Sequence, residues 1–174
     1  VKNEKDVPFY AENSAALIKY GRFFDGARIG IALYGVNPVP GDKTPLLPVM
    51  TFRAAVIAIN TVKKGDFIGY SRGYRAKKDM RVAIISTGYA DGLPRALSNK
   101  GMIFCNGQFL KIVGKVSMDS VAVDAGDADV KIMDEVVVFG DEITVTDVAN
   151  RADTLPYEIL TGVSERVKRV YKNP

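Results

Sequence analysis

The hydrophobic positions come in short blocks set apart by turn formers, and their character changes partway along the chain. Asn13-Ser14 precedes Ala15-Ala16-Leu17-Ile18-Lys19-Tyr20, and Gly21 follows. That order predicts a short helix with a polar N-cap and a glycine stop. Asp25-Gly26 then turns into Ala27-Arg28-Ile29-Gly30-Ile31-Ala32-Leu33-Tyr34-Gly35. So apolar a run predicts a strand buried on both faces, as in a parallel sheet. Arg28 lies inside it, and an unpaired charge there is costly, so a carboxylate or a ligand is expected beside it. Helix followed by buried strand is the last part of a β/α pattern.

Asn37-Pro38-Val39-Pro40-Gly41-Asp42-Lys43-Thr44-Pro45 is dense in turn formers and reads as a linker. Beyond it, residues 49–59 are apolar and β-branched, 67–70 follow a turn, and 80–86 form another apolar run. Asn106-Gly107 sits between runs at 102–105 and 108–112. It is the strongest hairpin signal, because both central residues of a type I′ turn need positive φ. Residues 113–116, 120–123 and 135–139 predict further strands, and 163–171 a basic one at the end. Two short helices are expected among them, one capped by Thr146 and one opened by Thr154 and Pro156. Many short strands separated by turns predict a mainly β fold, an antiparallel barrel or sandwich. Residues 42–174 are expected to be this β-domain, and residues 1–41 the end of a β/α structure.

Composition narrows the chemistry more than the fold. The 174 residues suffice for one domain or one plus a fragment, and 47% are hydrophobic, enough for a real core. No apolar run approaches the ~18 residues that span a bilayer. The polar start Val1-Lys2-Asn3-Glu4-Lys5-Asp6 has no signal-peptide core, and the first eight residues are expected to fray. With a lone Cys105, the expectation is a reducing, cytoplasmic setting and no membrane partner. The net charge of +4 owes much to Arg166, Lys168, Arg169 and Lys172. Glu158 and Glu165 interrupt that cluster, which reads as a solvated face and not a nucleic-acid patch.

The sequence contains no histidine. That removes the commonest general base, any Ser-His-Asp triad and any His-based metal site, and a single Cys leaves no zinc site. Proton chemistry must then fall to Tyr, Lys, Asp or Glu. Gly88-Tyr89-Ala90-Asp91-Gly92-Leu93-Pro94-Arg95 offers one such group. Its glycines and proline let the backbone bend sharply after residues 82–85 and set Tyr89 at a strand's end. The plainer use of Tyr89 is to pack over the turn. Ser14 likewise has two uses, as a helix cap or, with the first N–H groups of the helix, as an anion ligand.

Taken in order, several stretches resemble motifs of alanine racemase, a bacterial isomerase that depends on pyridoxal phosphate (PLP). They are Asn13-Ser14-Ala15-Ala16, Arg28-Ile29-Gly30-Ile31-Ala32-Leu33-Tyr34-Gly35, the Tyr89 stretch, Gly114-Lys115-Val116-Ser117-Met118-Asp119 and Pro156-Tyr157-Glu158. The resemblance covers that family's C-terminal domain and the last portion of its N-terminal barrel. It implies an antiparallel, barrel-like β-domain preceded by the end of a (β/α)8 barrel. It also implies a head-to-tail homodimer in which the β-domain closes the neighbouring site, and interconversion of L- and D-alanine for peptidoglycan synthesis. Ser14, Gly30 and Ile31 would meet the PLP phosphate, with Tyr157 near it at the narrowed entrance. Arg28 would face the ring nitrogen; a guanidinium keeps its proton, so the ring stays a weaker electron sink. The Met118 N–H would meet the substrate carboxylate; without the resemblance Met118 reads as a core methionine and Tyr157 as a capping aromatic. Tyr89 would be one of two bases, since racemisation removes Cα–H from one face and returns a proton to the other. The second base is the PLP lysine. A free tyrosine titrates near ~10, so its phenolate needs cations or hydrogen bonds close by.

The family's PLP lysine sits in a Lys-Ala-x-Ala-Tyr-Gly-His-Gly type of segment early in its barrel, and this sequence has none. The chain is therefore expected to be the C-terminal part of a racemase or a fused one, colourless and inactive by itself. The near alternative is a serine/alanine racemase of the vancomycin-resistance type. The distant one is a non-catalytic β-barrel module for RNA or protein, which no stacked aromatic and basic strand pattern supports.

Overall fold

A computed structural model describes residues 7–172; residues 1–6 of the polar start lie outside the described residues. The chain divides into two compact units, Val1–Met50 and Thr51–Pro174. In the first, strand β1 (Tyr10–Asn13) leads into helix α1 (Ser14–Tyr20), and strand β2 (Gly26–Arg28) pairs parallel with β1. Asn13 caps α1, its Oδ1 accepting the Ala16 N–H at 2.9 Å, and Gly21 at φ 77° ends it. The strand expected over 27–35 stops at Arg28. Gly30 leaves the extended region (φ −121°, ψ −86°), and Ile31–Tyr34 wind into a 3₁₀ turn closed by Gly35 at φ 80°. Periodicity alone cannot tell so short an apolar run from a helical one. Arg28 is exposed at the strand's end, and its Nη1 donates to the Tyr10 carbonyl instead of pairing with a carboxylate.

The second unit is built on one antiparallel sheet. Its strands are β3 (Phe52–Val62), β6 (Met80–Ile85), β7 (Met102–Cys105), β8 (Gln108–Lys111), β9 (Val121–Asp124) and β10 (Glu135–Phe139), in the order β8-β7-β10-β3-β6-β9. A small hairpin, β4 (Phe67–Ile68) with β5 (Tyr74–Arg75), stands apart from it. A register shift between Val56 and Ala58 bends β3, so its first part pairs with β10 and its second with β6. The sheet is barrel-like but not closed. Its edges meet at a single bridge, Ile112 to Val123, where a closed barrel needs a full ladder. The fully buried side chains Val56, Ile85, Ile103, Ile112, Val123 and Val136 make the core.

Several expected elements are replaced by irregular chain. Residues 113–116 form no strand, although Val113 and Val116 are buried; they pack as a loop with no ladder to join. The stretch 163–171 is bends, a turn and irregular chain, with Arg169 donating to the Val163, Ser164 and Val167 carbonyls. Helix α2 (Val145–Ala152) is capped by Thr144, not Thr146, through a capping box with Asp147 that satisfies both free N–H groups. Helix α3 (Pro156–Gly162) starts with proline in its first turn, as expected; Thr154 donates to Glu158 and caps no N–H. Cys105 is 1% exposed, and burial, then nearby Asp134, pushes its thiol pKa up. Native protein is therefore expected to resist iodoacetamide at neutral pH and to react once unfolded in urea, read as mass added.

Candidate active site

Three loops converge beside the end of β6. The first, residues 88–93, is folded on itself: Asp91 and Leu93 donate N–H to the Gly88 carbonyl, and Asp91 Oδ2 accepts the Gly88 N–H at 2.8 Å. The second, residues 115–119, runs against it. Tyr89 and Ala90 donate N–H to the carbonyls of Ser117 and Met118, each at 3.0 Å. A Cβ on Gly88 would lie 2.3 Å from the Met118 oxygen, so only glycine permits this approach. Sequence pattern placed Tyr89 at the strand's end, and the zipped loops are what hold it there.

The third loop carries Tyr70. It is a 3₁₀ turn, Tyr70–Arg72, between β4 and β5, and both Ser71 (φ 55°) and Arg72 (φ 54°) are left-handed. Side chains other than glycine enter that region at about 1–2 kcal/mol per residue. The turn leans on the second loop, since a Cβ on Gly69 would stand 3.1 Å from the Lys115 nitrogen. Asn99 ties the two together: its Nδ2 donates to the Gly73 carbonyl at 3.0 Å, and its Oδ1 accepts the Gly114 N–H at 2.7 Å.

Between these loops lies a cleft of about 660 Å³, lined by Tyr70, Tyr89, Arg95, Lys115, Val116, Ser117 and Met118. Both phenols are accessible, Tyr70 at 71% and Tyr89 at 45%. Among the described residues neither Arg95 nor Lys115 is ion-paired. The cleft thus offers proton-transfer groups together with positive charge, which attracts a carboxylate. Tyr157 is half-exposed on α3 and is not among the lining residues. Among the described residues no cluster of His, Cys, Asp or Glu could hold a metal.

The first unit gathers a different set. Ser14 is buried, and its Oγ accepts the N–H groups of Gly30 at 3.2 Å and Ala32 at 3.4 Å. Asn13 takes the cap role, which leaves the Ser14 hydroxyl proton free to donate. Ser14, Gly30 and Ile31 therefore come together, with Arg28 at the end of the adjoining strand. Sequence reasoning passed over Tyr70, Lys115 and Asn99. The signal for Tyr70 was slight: glycines at 69 and 73 bracketing a tyrosine.

Residues 49–171 match the family described as alanine racemase, C-terminal domain, and the chain belongs to the alanine racemase family. The alanine racemase of Halothermothrix orenii is 39% identical over 177 residues, covering 97% of this chain and 47% of that protein. The catabolic alanine racemase of Rhizobium johnstonii is 43% identical, covering 84% and 40%. Among solved structures, alanine racemase from Bartonella henselae with covalently bound pyridoxal phosphate superposes with a TM-score of 0.87 at 40% identity, over 92% of this chain and 46% of that one. Biosynthetic alanine racemase from Pseudomonas aeruginosa gives 0.89 at 33%, over 95% and 48%. The chain spans about half the length of the relatives it matches.

Proposed function

We propose that this chain is the C-terminal part of a PLP-dependent alanine racemase and that its cleft supplies the phenolic acid–base of the reaction. The observation that carries the reading is the convergence of Tyr70 and Tyr89 with unpaired Arg95 and Lys115 on one small cleft. With no histidine in the chain, the groups there able to take and return a proton are the two phenols and Lys115, and the reading takes a phenol. The residues 88–95 motif points to Tyr89 as the base; the strained turn points to Tyr70. We assign the proton transfer to Tyr70, with Tyr89 as the wall that bounds the alanine methyl group.

The residues of the first unit suit PLP. A buried hydroxyl whose proton is left to donate, with open space beside Gly30, suits a phosphate dianion. Ser14, Gly30 and Ile31 would hold the phosphate, Arg28 would donate to the ring nitrogen, and Tyr157 would narrow the entrance. When bound, PLP supplies the electron sink that makes the substrate Cα–H acidic. Met118 would give its N–H to the substrate carboxylate, which the positive charge of Arg95 and Lys115 would draw into the cleft. The domains follow the same reading: residues 1–41 finish a β/α barrel and residues 42–174 form the β-domain. So does a cytoplasmic homodimer in which this domain closes the partner subunit's barrel and D-alanine goes to peptidoglycan.

The test joins the chain to its barrel half. That full-length protein is expected to bind PLP and racemise L-alanine by chiral chromatography, whereas the chain alone should be colourless and inactive. Racemisation by the chain alone would remove the need for a base from outside it. No racemisation by the full-length holoprotein would end the reading.

A further inference from the structure

The turn after α3 reaches back across both walls of the cleft. Arg166 donates from Nε to Asp91 Oδ1 at 2.8 Å and from Nη2 to Asp119 Oδ1 at 2.5 Å. Asp91 belongs to the Tyr89 loop, and Asp119 directly follows Met118. Asp91 is engaged on both oxygens, because Oδ2 holds the Gly88 N–H. Its side chain is only 13% exposed, and a carboxylate so withdrawn from water needs its partner. The turn that presents Arg166 is itself braced. Ser164 donates N–H to the Asp91 carbonyl at 3.2 Å, and Arg169 gathers three carbonyls of residues 163–167.

We infer that Arg166 is a positioning residue of this site: a fork that, together with the N–H···O bonds from Tyr89 and Ala90, holds the Tyr89 loop against the Met118 loop and so sets the width of the cleft. The inference rests on the racemase reading. Arg166 lies outside the cleft lining and touches neither phenol, so it acts through the two aspartates. A planar guanidinium holds two carboxylates at a fixed separation, which a lysine ammonium, a single point of charge, cannot do. Fixed width matters for a site that must fit a methyl group and reject larger side chains, because a displacement of roughly 1 Å can cost on the order of a hundredfold in rate.

The experiment uses the full-length holoenzyme and measures kcat and KM for L-alanine and L-serine, melting temperature and PLP absorbance. Arg166→Lys is expected to keep PLP and to lose on the order of tenfold or more in kcat/KM for L-alanine, with a narrower preference for alanine over serine. Asp119→Asn, at an exposed position, should move both quantities the same way by less. Adding it to Arg166→Lys should cost nothing further, since one fork is already broken. A fork that served only stability would lower the melting temperature and leave the alanine preference unchanged, and that result overturns the inference. So does wild-type kinetics in both variants. Wild-type holoenzyme that racemises nothing overturns the function reading and this inference together; wild-type activity with unaltered variants overturns the fork alone.

Discussion

Phenylalanine in place of Tyr70 is expected to lower kcat/KM for L-alanine in the full-length holoenzyme by about 10²–10⁴-fold with PLP still bound. Tyr89→Phe should cost less than about tenfold, because a wall loses only a hydroxyl. The difference in expectation comes from the backbone. Around Tyr89 the left-handed conformation falls on Gly92 (φ 110°), where it carries no Cβ penalty. Around Tyr70 it falls on Ser71 and Arg72. Strain of that kind persists only where the surroundings over-determine it, and it gathers at working sites. Here the surroundings are visible: Asn99 holds the Gly73 carbonyl, and the guanidinium groups of Arg72 and Arg75 lie over the Phe67 ring at 5.0 and 5.7 Å. The turn is held at some cost, and what it presents to the cleft is a phenol 71% exposed. Steady-state kinetics in both directions, with PLP absorbance as the binding control, separates the two tyrosines. A large loss in Tyr89→Phe and a small one in Tyr70→Phe would return the base to Tyr89.

What could be read without coordinates was the chemistry of short range. Asn106 and Gly107 adopt the positive φ values (45° and 80°) that their hairpin demanded, and Gly21 stops α1 where its conformational freedom predicts. The mainly β character followed from turn spacing, and the family from motifs whose glycines and charges stand in order. Long-range features were not legible. Strand β1 has no alternation to announce it, and it exists because β2 pairs with it. The sheet's failure to close depends on where its edge strands end. Val113 and Val116 are apolar because they are buried, not because they are extended. The same holds at the site. Tyr89 could be found because its neighbours form a motif, whereas Tyr70 stands out only through dihedral angles that ordinary Ser71 and Arg72 do not advertise. The tail cations read as a solvated face, yet Arg166 is tied to an aspartate 47 positions away, a pairing that tertiary structure alone creates.

Gly88→Ala tests the loop architecture independently of any assignment of the base. An added Cβ would lie 2.3 Å from the Met118 oxygen, 2.4 Å from the Ser117 oxygen and 2.5 Å from the Met118 carbonyl carbon. All three are backbone atoms, so no side chain can swing aside. The φ of Gly88 is not positive, so the penalty is steric and not conformational. Relief requires the loops to part by roughly 1 Å, an overpacking cost of about 1–3 kcal/mol. Parting them strains the Tyr89 and Ala90 hydrogen bonds on either side, each of which contributes about 1 kcal/mol. The same motion carries Tyr89 away from Met118 and widens the cleft, for which a loss of about tenfold to a hundredfold in kcat/KM is expected. Gly107→Ala is the control. It stands at φ 80° with nothing within 4 Å of the added Cβ, so it should lose about 1–2 kcal/mol of stability through its backbone alone and keep wild-type kinetics. Urea midpoints and alanine kinetics on the two full-length variants decide the matter: equal activities would mean that the contact between the two loops does not shape the site.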